Sequence, residues 1–370
     1  MSLVVQKYGG TSVATPELIC HVAERVVARH RQGDRLVVVV SAMGDTTDDL
    51  QALARKVSRR PAEREMDMLM ASGERISMSL LAMAIDDLGV EAVSMTGSQS
   101  GIVTDAVHQS ARITEVRPRR VLAELDKGRI VVVAGFQGVT PDDEETTLGR
   151  GGSNLTAVAL AYALKADVCE MCTDVEGIYT ADPRLVPDAR KLGAVNPDEM
   201  LELASSGARV LQSRSVEFAK KYGVAIMVRS SFNDNPGTLI KEIEGMESVV
   251  VRGIAHDLSD AKITVRHVTD RPGIAAVLFG ALAERHVNVD VILQNTSEAG
   301  TTDVSFTVKE GDLGKALEVC QNIKAQIGAA EVLADSDIAK VSVVGVGMRS
   351  HPGVAATAFR ALADARINIQ

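Results

Sequence analysis

The chain has 370 residues, which is enough for two or three domains with sizeable cores. Its formal net charge of −9 at pH 7 argues against nucleic-acid binding, because that function favours a basic face. Aromatic residues make up only 3% of the sequence, so aliphatic side chains must fill the cores. No apolar run reaches the roughly 18 residues of a transmembrane span, and no signal peptide precedes the first predicted strand. We therefore expect a cytoplasmic protein that binds neither nucleic acid nor membranes.

Val-rich strand patterns alternate with helical periodicity as far as Val228. The predicted strands span residues 35–41, 91–95, 129–135, 167–173 and 225–228, and the predicted helices span 16–31, 48–59, 61–88, 117–127, 154–164 and 210–222. This alternation predicts the α/β class, with an open, mostly parallel sheet covered by helices on both faces. Ligands bind such sheets at the carboxyl ends of the strands. The positions expected to meet at that edge are Gly9, Ser41, Gly97, Gly135 and Asp174.

Two glycine-rich turns suggest a phosphate site. Thr147–Asn154 contains three glycines and precedes an apolar helical run, so free backbone N–H groups would point at an anion. Its spacing matches neither the P-loop nor the G-x-G-x-x-G fingerprint, and alone it fits equally a strand-to-helix connection that binds nothing. The second turn, Lys7–Ser12, follows a strand and precedes a helix that Pro16 helps to start. Because each turn carries a cation, Lys7 or Arg150, we interpret them as two sides of one polyphosphate site.

These turns and three further motifs resemble the aspartokinases. The segments that carry the resemblance are Lys7–Ser12, Ser41–Thr47, Gly73–Arg75, Gly149–Ser153 and Thr173–Arg184. The resemblance covers essentially the whole chain and implies an amino-acid-kinase fold followed by ACT domains. It also implies ATP- and Mg²⁺-dependent phosphorylation of the side-chain carboxylate of L-aspartate to 4-phospho-L-aspartate, the first step towards lysine, threonine and methionine. A carboxylate acceptor is already ionised near neutral pH, so this chemistry needs no general base.

The resemblance implies a role for each motif. Lys7 would lie across the transferring phosphoryl group, Glu74 would bind the amino group of aspartate, and Arg150 would bind its α-carboxylate. The implied catalytic residues are Lys7, Arg150 and Asn154. The implied substrate-binding residues are Ser41, Thr47, Glu74, Arg150, Gly151 and Ser153. The implied nucleotide-binding residues are Lys7, Gly9, Gly10, Thr173, Asp174, Tyr179 near adenosine, Asp182, Arg184 on phosphate, and Arg209.

The residues alone leave simpler readings open. Lys7 fits a surface lysine beside a turn, and Ser41 and Thr47 each fit a helix cap. Glu74 and Arg75 fit an exposed pair on a helix, and residues 180–183 fit a turn before a proline.

Asn154 departs from the family, which usually has Asp there; Arg209 likewise replaces a usual Lys. The amide keeps the shape and can still cap a helix that begins at Leu155, but it lacks the negative charge. Losing one positioned electrostatic contact would lower activity by about 10² to 10⁴. A second hypothesis is therefore a catalytically impaired homologue that acts as an amino-acid-binding regulatory subunit. A third keeps kinase chemistry on another acceptor, such as acetylglutamate or uridylate; Glu74 disfavours it, because acetylglutamate lacks a free amino group.

An internal repeat follows a boundary near Pro236. Residues 262–290 align with residues 340–370, and each copy is predicted as strand, Pro-Gly loop, helix and second strand. The first copy continues into the βαββαβ order of a small α+β domain, which resembles an ACT domain. The predicted domains are a catalytic domain (1–245), a first ACT domain (262–338) and an incomplete second ACT domain (246–261 plus 339–370).

The resemblance to ACT domains implies an amino-acid effector, threonine or lysine, and a homo-oligomer formed through these domains. The implied effector-binding residues are Asp270, Gly273, Ile274, Asn288, Asp290, Gln294 and Asn295. Thr296 replaces a more usual Val, which leaves the identity of the effector open. An Asn before a strand, such as Asn288, is also an ordinary turn residue.

The four cysteines are not expected to hold a metal. Cys169 and Cys172 form a C-x-x-C within a predicted strand, where residues three apart point to opposite faces of the sheet. Cys20 and Cys320 lie on apolar helix faces and are predicted to be core residues.

Overall fold

Strands and helices alternate along the chain in the computed structural model, which describes residues 2–208, 210–243, 251–295, 300–345 and 353–369. The strands are β1 (Leu3–Tyr8), β2 (Arg35–Val40), β3 (Ala92–Met95), β4 (Ile102–Thr104), β5 (Ile113–Val116), β6 (Ile130–Ala134), β7 (Gln137–Val139), β8 (Glu145–Thr147), β9 (Val168–Thr173), β10 (Ala194–Val195), β11 (Ile226–Ser230), β12 (Thr238–Ile240), β13 (Gly253–Asp257), β14 (Asp260–Thr269), β15 (Val289–Gln294), β16 (Thr301–Lys309), β17 (Glu331–Asp335) and β18 (Lys340–Val344). The helices are α1 (Pro16–Arg31), α2 (Thr46–Val57), α3 (Glu63–Asp87), α4 (Arg119–Leu125), α5 (Gly152–Leu164), α6 (Pro197–Ser205), α7 (Ser213–Tyr222), α8 (Ile274–Glu284), α9 (Leu313–Ile323) and α10 (Val354–Asp364). The chain divides into two units, Met1–Ile254 with Val343–Gln370, and Ala255–Ser342.

An eight-stranded sheet forms the core of the first unit, in the order β10-β12-β11-β9-β1-β2-β6-β3. Its pairings are parallel except that of β11 with β12. The central strands β2 and β6 read RLVVVV and IVVVA and are almost wholly buried, as expected for parallel strands with both faces covered. The predicted α/β sheet is confirmed, and each predicted strand overlaps an observed one.

Helices α1 and α3 pack together over one face of this sheet. Thr15 Oγ1 accepts a hydrogen bond from Leu18 N at 3.3 Å, and Pro16 opens α1 where the sequence predicts it. By length and composition alone α3 would pass as a membrane span, but half of its most apolar window is buried inside the unit. We therefore interpret α3 as a core helix.

Helix α5 begins at Gly152, two residues earlier than predicted. Gly151 precedes it with a φ of 75°, a left-handed conformation that glycine adopts without strain. Asn154 therefore lies within the first turn, where its N–H donates to Gly151 O at 3.0 Å. The prediction that Asn154 caps a helix beginning at Leu155 is wrong, because the glycine conformation allows an earlier start.

The sequence patterns miss a second sheet, in the order β5-β4-β7-β8. Its strands are three or four residues long, too short for alternation to be recognised. They also miss α6, although Asn196 and Glu199 form a capping box around Pro197. The second sheet matters for the site because Thr147, the last residue of β8, leads into the glycine-rich turn.

The second unit has the predicted βαββαβ order. Strands β15-β16-β14-β17 form an antiparallel sheet, and α8 and α9 contribute to its core through residues such as Leu278 and Cys320. The second copy of the repeat has the predicted first strand, β18, and helix, α10, but residues 367–369 form no strand where its second strand is predicted. Gly273 before α8 has a φ of 93° and Gly353 before α10 has a φ of 100°. Part of the second Pro-Gly loop, at 346–352, lies outside the described residues.

The cysteines separate into three buried residues and one exposed residue. Burial raises the pKa of both Cys169 and Cys172, the latter to about 12. Within the described ranges no three His, Cys, Asp or Glu side chains come together as metal ligands. Cys320 is buried as predicted, but the prediction for Cys20 is wrong: it follows the buried Ile19 and points away from the core side of α1.

Candidate active site

The carboxyl ends of β9, β1, β2 and β6 lie side by side in the large sheet. The loops that follow are tied to neighbouring strands: Ser41 N–H donates to Tyr8 O at 3.1 Å, and Gly135 N–H donates to Val40 O at 2.9 Å. The five expected edge positions all follow strands of this sheet, namely Gly9, Ser41, Gly97, Gly135 and Asp174.

Lys7 lies near the end of β1, with its ammonium group against the first glycine-rich turn. A Cβ added at Gly9 would lie 3.3 Å from Lys7 Nζ, and one added at Gly10 would lie 3.0 Å from Ala42 O. The turn therefore leaves little room for side chains at these positions. Burial lowers the pKa of Lys7 to about 8, and nearby negative charge, including that of Asp174, opposes this shift. Lys7 is half-buried, so the reading as an ordinary surface lysine does not fit the structure.

Asp174 links Lys7 electrostatically to the segment after β9. Arg184 pairs with Asp182 through Nε–Oδ1 at 3.0 Å and Nη2–Oδ2 at 2.7 Å. These bonds are the main cause of a raised pKa of Arg184, and Asp174 adds to it from nearby. Thr173 Oγ1 donates to Asp174 Oδ1 at 2.9 Å. The structure therefore brings these five predicted nucleotide-site residues into one charged group.

Tyr179 is half-buried and bridges to Lys191 through the backbone. A turn does follow Asp182, because Leu185 N–H donates to Asp182 O at 3.0 Å. The simpler reading of 180–183 as a turn is thus compatible with the geometry. Arg209 lies outside the described residues.

Glu74 is buried on α3 with one carboxylate oxygen unused. Its Oε1 accepts a hydrogen bond from Ala42 N–H at 3.1 Å, and the residue is 3% exposed. Gly73 permits this approach, since a Cβ there would lie 2.8 Å from Ala42 Cβ. Oε2 is also buried and has no hydrogen-bond partner among the described residues. Burial raises the pKa of Glu74 to about 7, against the opposing effect of the Ala42 N–H.

Arg75 pairs with Glu145 of β8 and not with Glu74. The reading of Glu74 and Arg75 as an exposed helical pair is therefore wrong. Successive side chains of a helix point about 100° apart, so one faces the Ala42 loop and the other faces β8.

Ser41 and Thr47 are half-buried at either end of the loop that contains Ala42. Thr47 lies in the first turn of α2, whose N-cap is Asp45, so the reading of Ser41 or Thr47 as a cap of this helix is wrong. The hydroxyl that ties this turn is that of Thr46, which donates to Met43 O at 2.6 Å.

The second glycine-rich turn presents Arg150 to solvent. Gly149 and Gly151 have φ values of 77° and 75° on either side of it. Gln212 Nε2 holds the backbone by donating to Arg150 O at 2.5 Å. The guanidinium of Arg150 is exposed and makes no ion pair with any residue in the described ranges. Ser153 packs under the turn, because a Cβ at Gly135 would lie 2.7 Å from its Oγ.

Two buried or half-buried side chains near this turn escape the sequence analysis. Asp67 of α3 accepts a hydrogen bond from Thr147 Oγ1 at 2.5 Å, and Arg214 of α7 donates to Leu148 O at 2.9 Å. The available signal is the spacing of Asp67, which lies two helical turns before Glu74 on the same helix.

The implied effector residues occupy two parts of the second unit. Asp270, Gly273 and Ile274 lie between β14 and the start of α8, and Asp270 N–H donates to Gly300 O at 2.9 Å. The others lie just before, along and just after the edge strand β15: Asn288, Asp290, Gln294 and Asn295. Asp290 pairs with Lys340. Thr296 lies outside the described residues.

The comparisons with known proteins bear on the family and the fold. The amino acid kinase family matches residues 2–230, and the ACT domain matches residues 258–322 and 341–370. The chain is 56% identical to the aspartokinase of Mycolicibacterium smegmatis over all of its own length and 89% of that protein. The fold resembles E. coli aspartokinase III in complex with aspartate and ADP, with a TM-score of 0.83 and 26% identity over all of this chain and 92% of that one. A second structure, of E. coli aspartokinase III with lysine and aspartate, gives a TM-score of 0.75 at 26% identity over 93% and 87% of the two chains.

The first unit has two glycine-rich turns at the carboxyl edge of a parallel sheet, and ACT-like repeats follow it. Together these features define an amino-acid kinase with ACT domains. The chain belongs to the aspartokinases of the amino acid kinase family.

Proposed function

We propose that the protein transfers the γ-phosphoryl group of Mg·ATP to the side-chain carboxylate of L-aspartate, giving 4-phospho-L-aspartate and ADP. The observation that carries this proposal is Glu74 Oε2, a buried carboxylate oxygen without a partner among the described residues. Leaving such an atom unpaired is costly, so it is a suitable place for a ligand donor. An amino-acid ammonium group supplies one. Acceptors without a free amino group would leave this oxygen unused.

Two groups would hold the rest of aspartate. Arg150, exposed between two glycines, would bind the α-carboxylate through its planar guanidinium. The hydroxyls of Ser41, Thr47 and Ser153, with the backbone of Gly151, would complete the binding of substrate or phosphate. Ammonium and α-carboxylate would thus be fixed, and the side-chain carboxylate would be left to react.

Charge neutralisation would then drive the transfer. An oxygen of the aspartate side chain attacks the γ-phosphorus, and the bond to the bridging β,γ-oxygen breaks, so that ADP leaves with those electrons. Lys7 would stabilise the charge on the transferring group, with Gly9 and Gly10 as backbone donors. The acceptor is already ionised, so no residue has to remove a proton.

The charged group after β9 would hold the nucleotide. Arg184 would exchange Asp182 for a phosphate, Thr173 and Asp174 would line the site, and Tyr179 would lie near adenosine. Arg209 is included by resemblance alone. Asp174 near Lys7 fits a magnesium ion that arrives with the phosphates and keeps its waters, since magnesium commonly uses one or two protein carboxylates.

The competing function is that of an impaired homologue that senses amino acids, which Asn154 favours. Asn154 is half-buried in the first turn of α5, directly behind the Arg150 turn. The test is ADP release from Mg·ATP with L-aspartate, comparing the protein with its Asn154→Asp variant. Robust turnover by the unmodified protein supports the kinase. Turnover only by Asn154→Asp would mean that the unmodified chain keeps the fold and pocket but has lost catalysis, which favours the impaired homologue.

Regulation and assembly follow from the second unit. We place feedback by threonine or lysine at the β14–α8 loop and β15, and association of two copies along β15. Among the described residues this edge strand pairs only with β16, and it exposes Ile292 and Leu293, which are 50% and 60% accessible. Light scattering of Ile292→Asp should show a smaller species than the unmodified protein, and an unchanged mass would exclude β15 as the contact. As an aspartokinase in this reading, the protein acts in the cytoplasm at the first step towards lysine, threonine and methionine.

A further inference from the structure

Helix α3 carries a second buried carboxylate, two turns before Glu74. Asp67 is fully buried. Its Oδ1 accepts from Thr147 Oγ1 at 2.5 Å, its Oδ2 lies 2.7 Å from His108 Nδ1, and both oxygens lie 3.1 Å from Gln109 N. Both carboxylate oxygens of Asp67 thus have hydrogen-bond partners, whereas Oε2 of Glu74 has none among the described residues.

The groups that Asp67 holds belong to the two segments under the Arg150 turn. Ala111 N–H donates to Thr147 O at 2.9 Å, which ties the first segment, 108–111, to the end of β8. A Cβ on Gly149 would lie 3.0 Å from Gln109 O, so the turn rests directly on that segment. Only Leu148 and Gly149 separate Thr147 from Arg150. A shift of either segment would therefore move the guanidinium.

Arg214 of α7 holds the same two segments through their backbone carbonyls. Its Nη1 donates to Leu148 O at 2.9 Å and its Nη2 donates to Ala111 O at 2.9 Å. One guanidinium thus bonds to the backbone of both segments, with no carboxylate partner among the described residues. Burial lowers the pKa of Arg214. Because the half-buried guanidinium bonds to both carbonyls, it fixes the backbone at Leu148 and Ala111.

We propose that Asp67 and Arg214 are positioning residues for Arg150: both bind segments 108–111 and 147–149 and fix them, so that the guanidinium meets the α-carboxylate of the acceptor. This inference rests on the proposed function, because it takes Arg150 as the α-carboxylate ligand. It also explains why α3 carries two buried acids about 10 Å apart along its axis. Glu74 meets the amino group directly, and Asp67 places the group that meets the carboxylate.

The test compares L-aspartate with its α-amide, which keeps the amino group and the reactive carboxylate but lacks the α-carboxylate charge. The ratio of kcat/KM values for the two acceptors measures the Arg150 contact. If the unmodified protein is inactive, the same series is made in the Asn154→Asp background. We expect Asp67→Asn and Arg214→Gln to lower this ratio at least about tenfold, mainly through KM for aspartate, with ADP affinity unchanged. Thr147→Val keeps the side-chain shape and removes one hydrogen-bond donor to Asp67, so it should lower the ratio less. This variant replaces Asp67→Asn in the test if Asp67→Asn does not fold.

Two comparisons keep the outcomes separate. Asp34→Asn makes the same chemical change at the amino-terminal end of the sheet, where Asp34 accepts from Ser2 N and Arg29 Nε, and it should leave the ratio unchanged. Arg150→Ala should abolish discrimination. If Arg150→Ala leaves the ratio intact, the assigned role of Arg150 fails and the inference fails with it. A different outcome is that Arg150→Ala abolishes the preference for aspartate over its α-amide while Asp67→Asn and Thr147→Val lower kcat/KM equally for both acceptors. In that case the proposed function stands and the positioning role is overturned.

Discussion

Two buried carboxylates, Glu74 in the candidate active site and Asp257 in the second unit, are held in opposite ways. In the candidate active site, Glu74 has one oxygen without a partner among the described residues, and burial raises its pKa to about 7. In the second unit, Asp257 accepts from Ser259 N at 2.8 Å and Ser259 Oγ at 2.6 Å, and Lys309 Nζ lies 2.6 Å from its other oxygen. Burial alone would raise the pKa of Asp257, but the bonds to Lys309 and Ser259 outweigh it and hold the pKa well below its usual range.

This difference separates a group that awaits a ligand from one that stabilises the fold. A carboxylate that receives donors and a cation from its own chain lowers the free energy of the folded state. A buried carboxylate without that cation raises it, and such a group persists where a ligand completes it. The contrast predicts opposite responses of activity and stability in the two units.

Lys7 extends the contrast to a half-buried cation and carries the largest expected effect. We expect Lys7→Met to lower kcat by about 10³, because the apolar stem remains while the charge facing the transferring group is lost. In the unmodified protein kcat/KM should fall as pH rises through about 8, where Lys7 loses its proton. The check is a pH profile of ADP release.

Lys127 provides the control for Lys7. It is exposed, pairs with Glu124, and precedes β6 at the amino-terminal end of the sheet. Lys127→Met should leave the rate and profile unchanged. An alkaline limb that persists in Lys7→Met would remove Lys7 from the chemistry.

Glu74→Gln tests both sides of the contrast at once. The amide can still accept from Ala42 N–H but cannot balance an ammonium group, so kcat/KM for aspartate should fall about 10². In the unmodified protein kcat/KM should fall as pH drops through about 7, since the protonated carboxyl group loses its charge.

The stability of Glu74→Gln should move the other way. The folded-state pKa is raised, so the ionised carboxylate destabilises the fold increasingly above its ordinary value of 4.5 and fully above about 7. At pH 8 the amide should therefore raise the free energy of unfolding by about 1 to 3 kcal/mol, measured by denaturant titration. Glu170→Gln is the control: Glu170 is buried but bonded to Gln6 and Arg29, and its loss should destabilise without changing KM. A less stable Glu74→Gln would contradict the idea of an uncompensated charge.

Much of the frame could be predicted from the sequence, for identifiable reasons. The strands β2 and β6 are continuous runs of Val and Ile because both faces are buried, and such runs stand out from their surroundings. Motif resemblance singled out Lys7 and Glu74. The structure places Lys7 at the expected sheet edge and Glu74 beside the Ala42 loop that follows β2. The roles of these residues remain predictions.

The support of the Arg150 turn could not be predicted in this way. Asp67 lies near the start of α3, where an acid usually faces solvent and favours the helix dipole. Its partners His108 and Thr147 are 41 and 80 residues away in the chain, so no local pattern reveals them. The short strands β4, β5, β7 and β8 escaped for the related reason that three or four residues do not establish a period.

Asp257→Asn carries the smallest expected effect and tests the stabilising side of the contrast. Its folded-state pKa is lowered, so the ionised group contributes stability that is present above its ordinary value of 3.8 and is lost as pH falls below it. Lys309 is half-exposed, which screens the pair. We therefore expect Asp257→Asn to lower the stability of the second unit by about 1 kcal/mol at pH 7, read from hydrogen exchange in β14 and β16 of the full chain. Glu331→Gln, which weakens an exposed pair with Arg266, should change it by less than about 0.5 kcal/mol. Since Asp257 lies outside the site, aspartate turnover should not change, and an Asp257→Asn protein as stable as the unmodified one would show that a paired carboxylate here contributes no more than a surface charge.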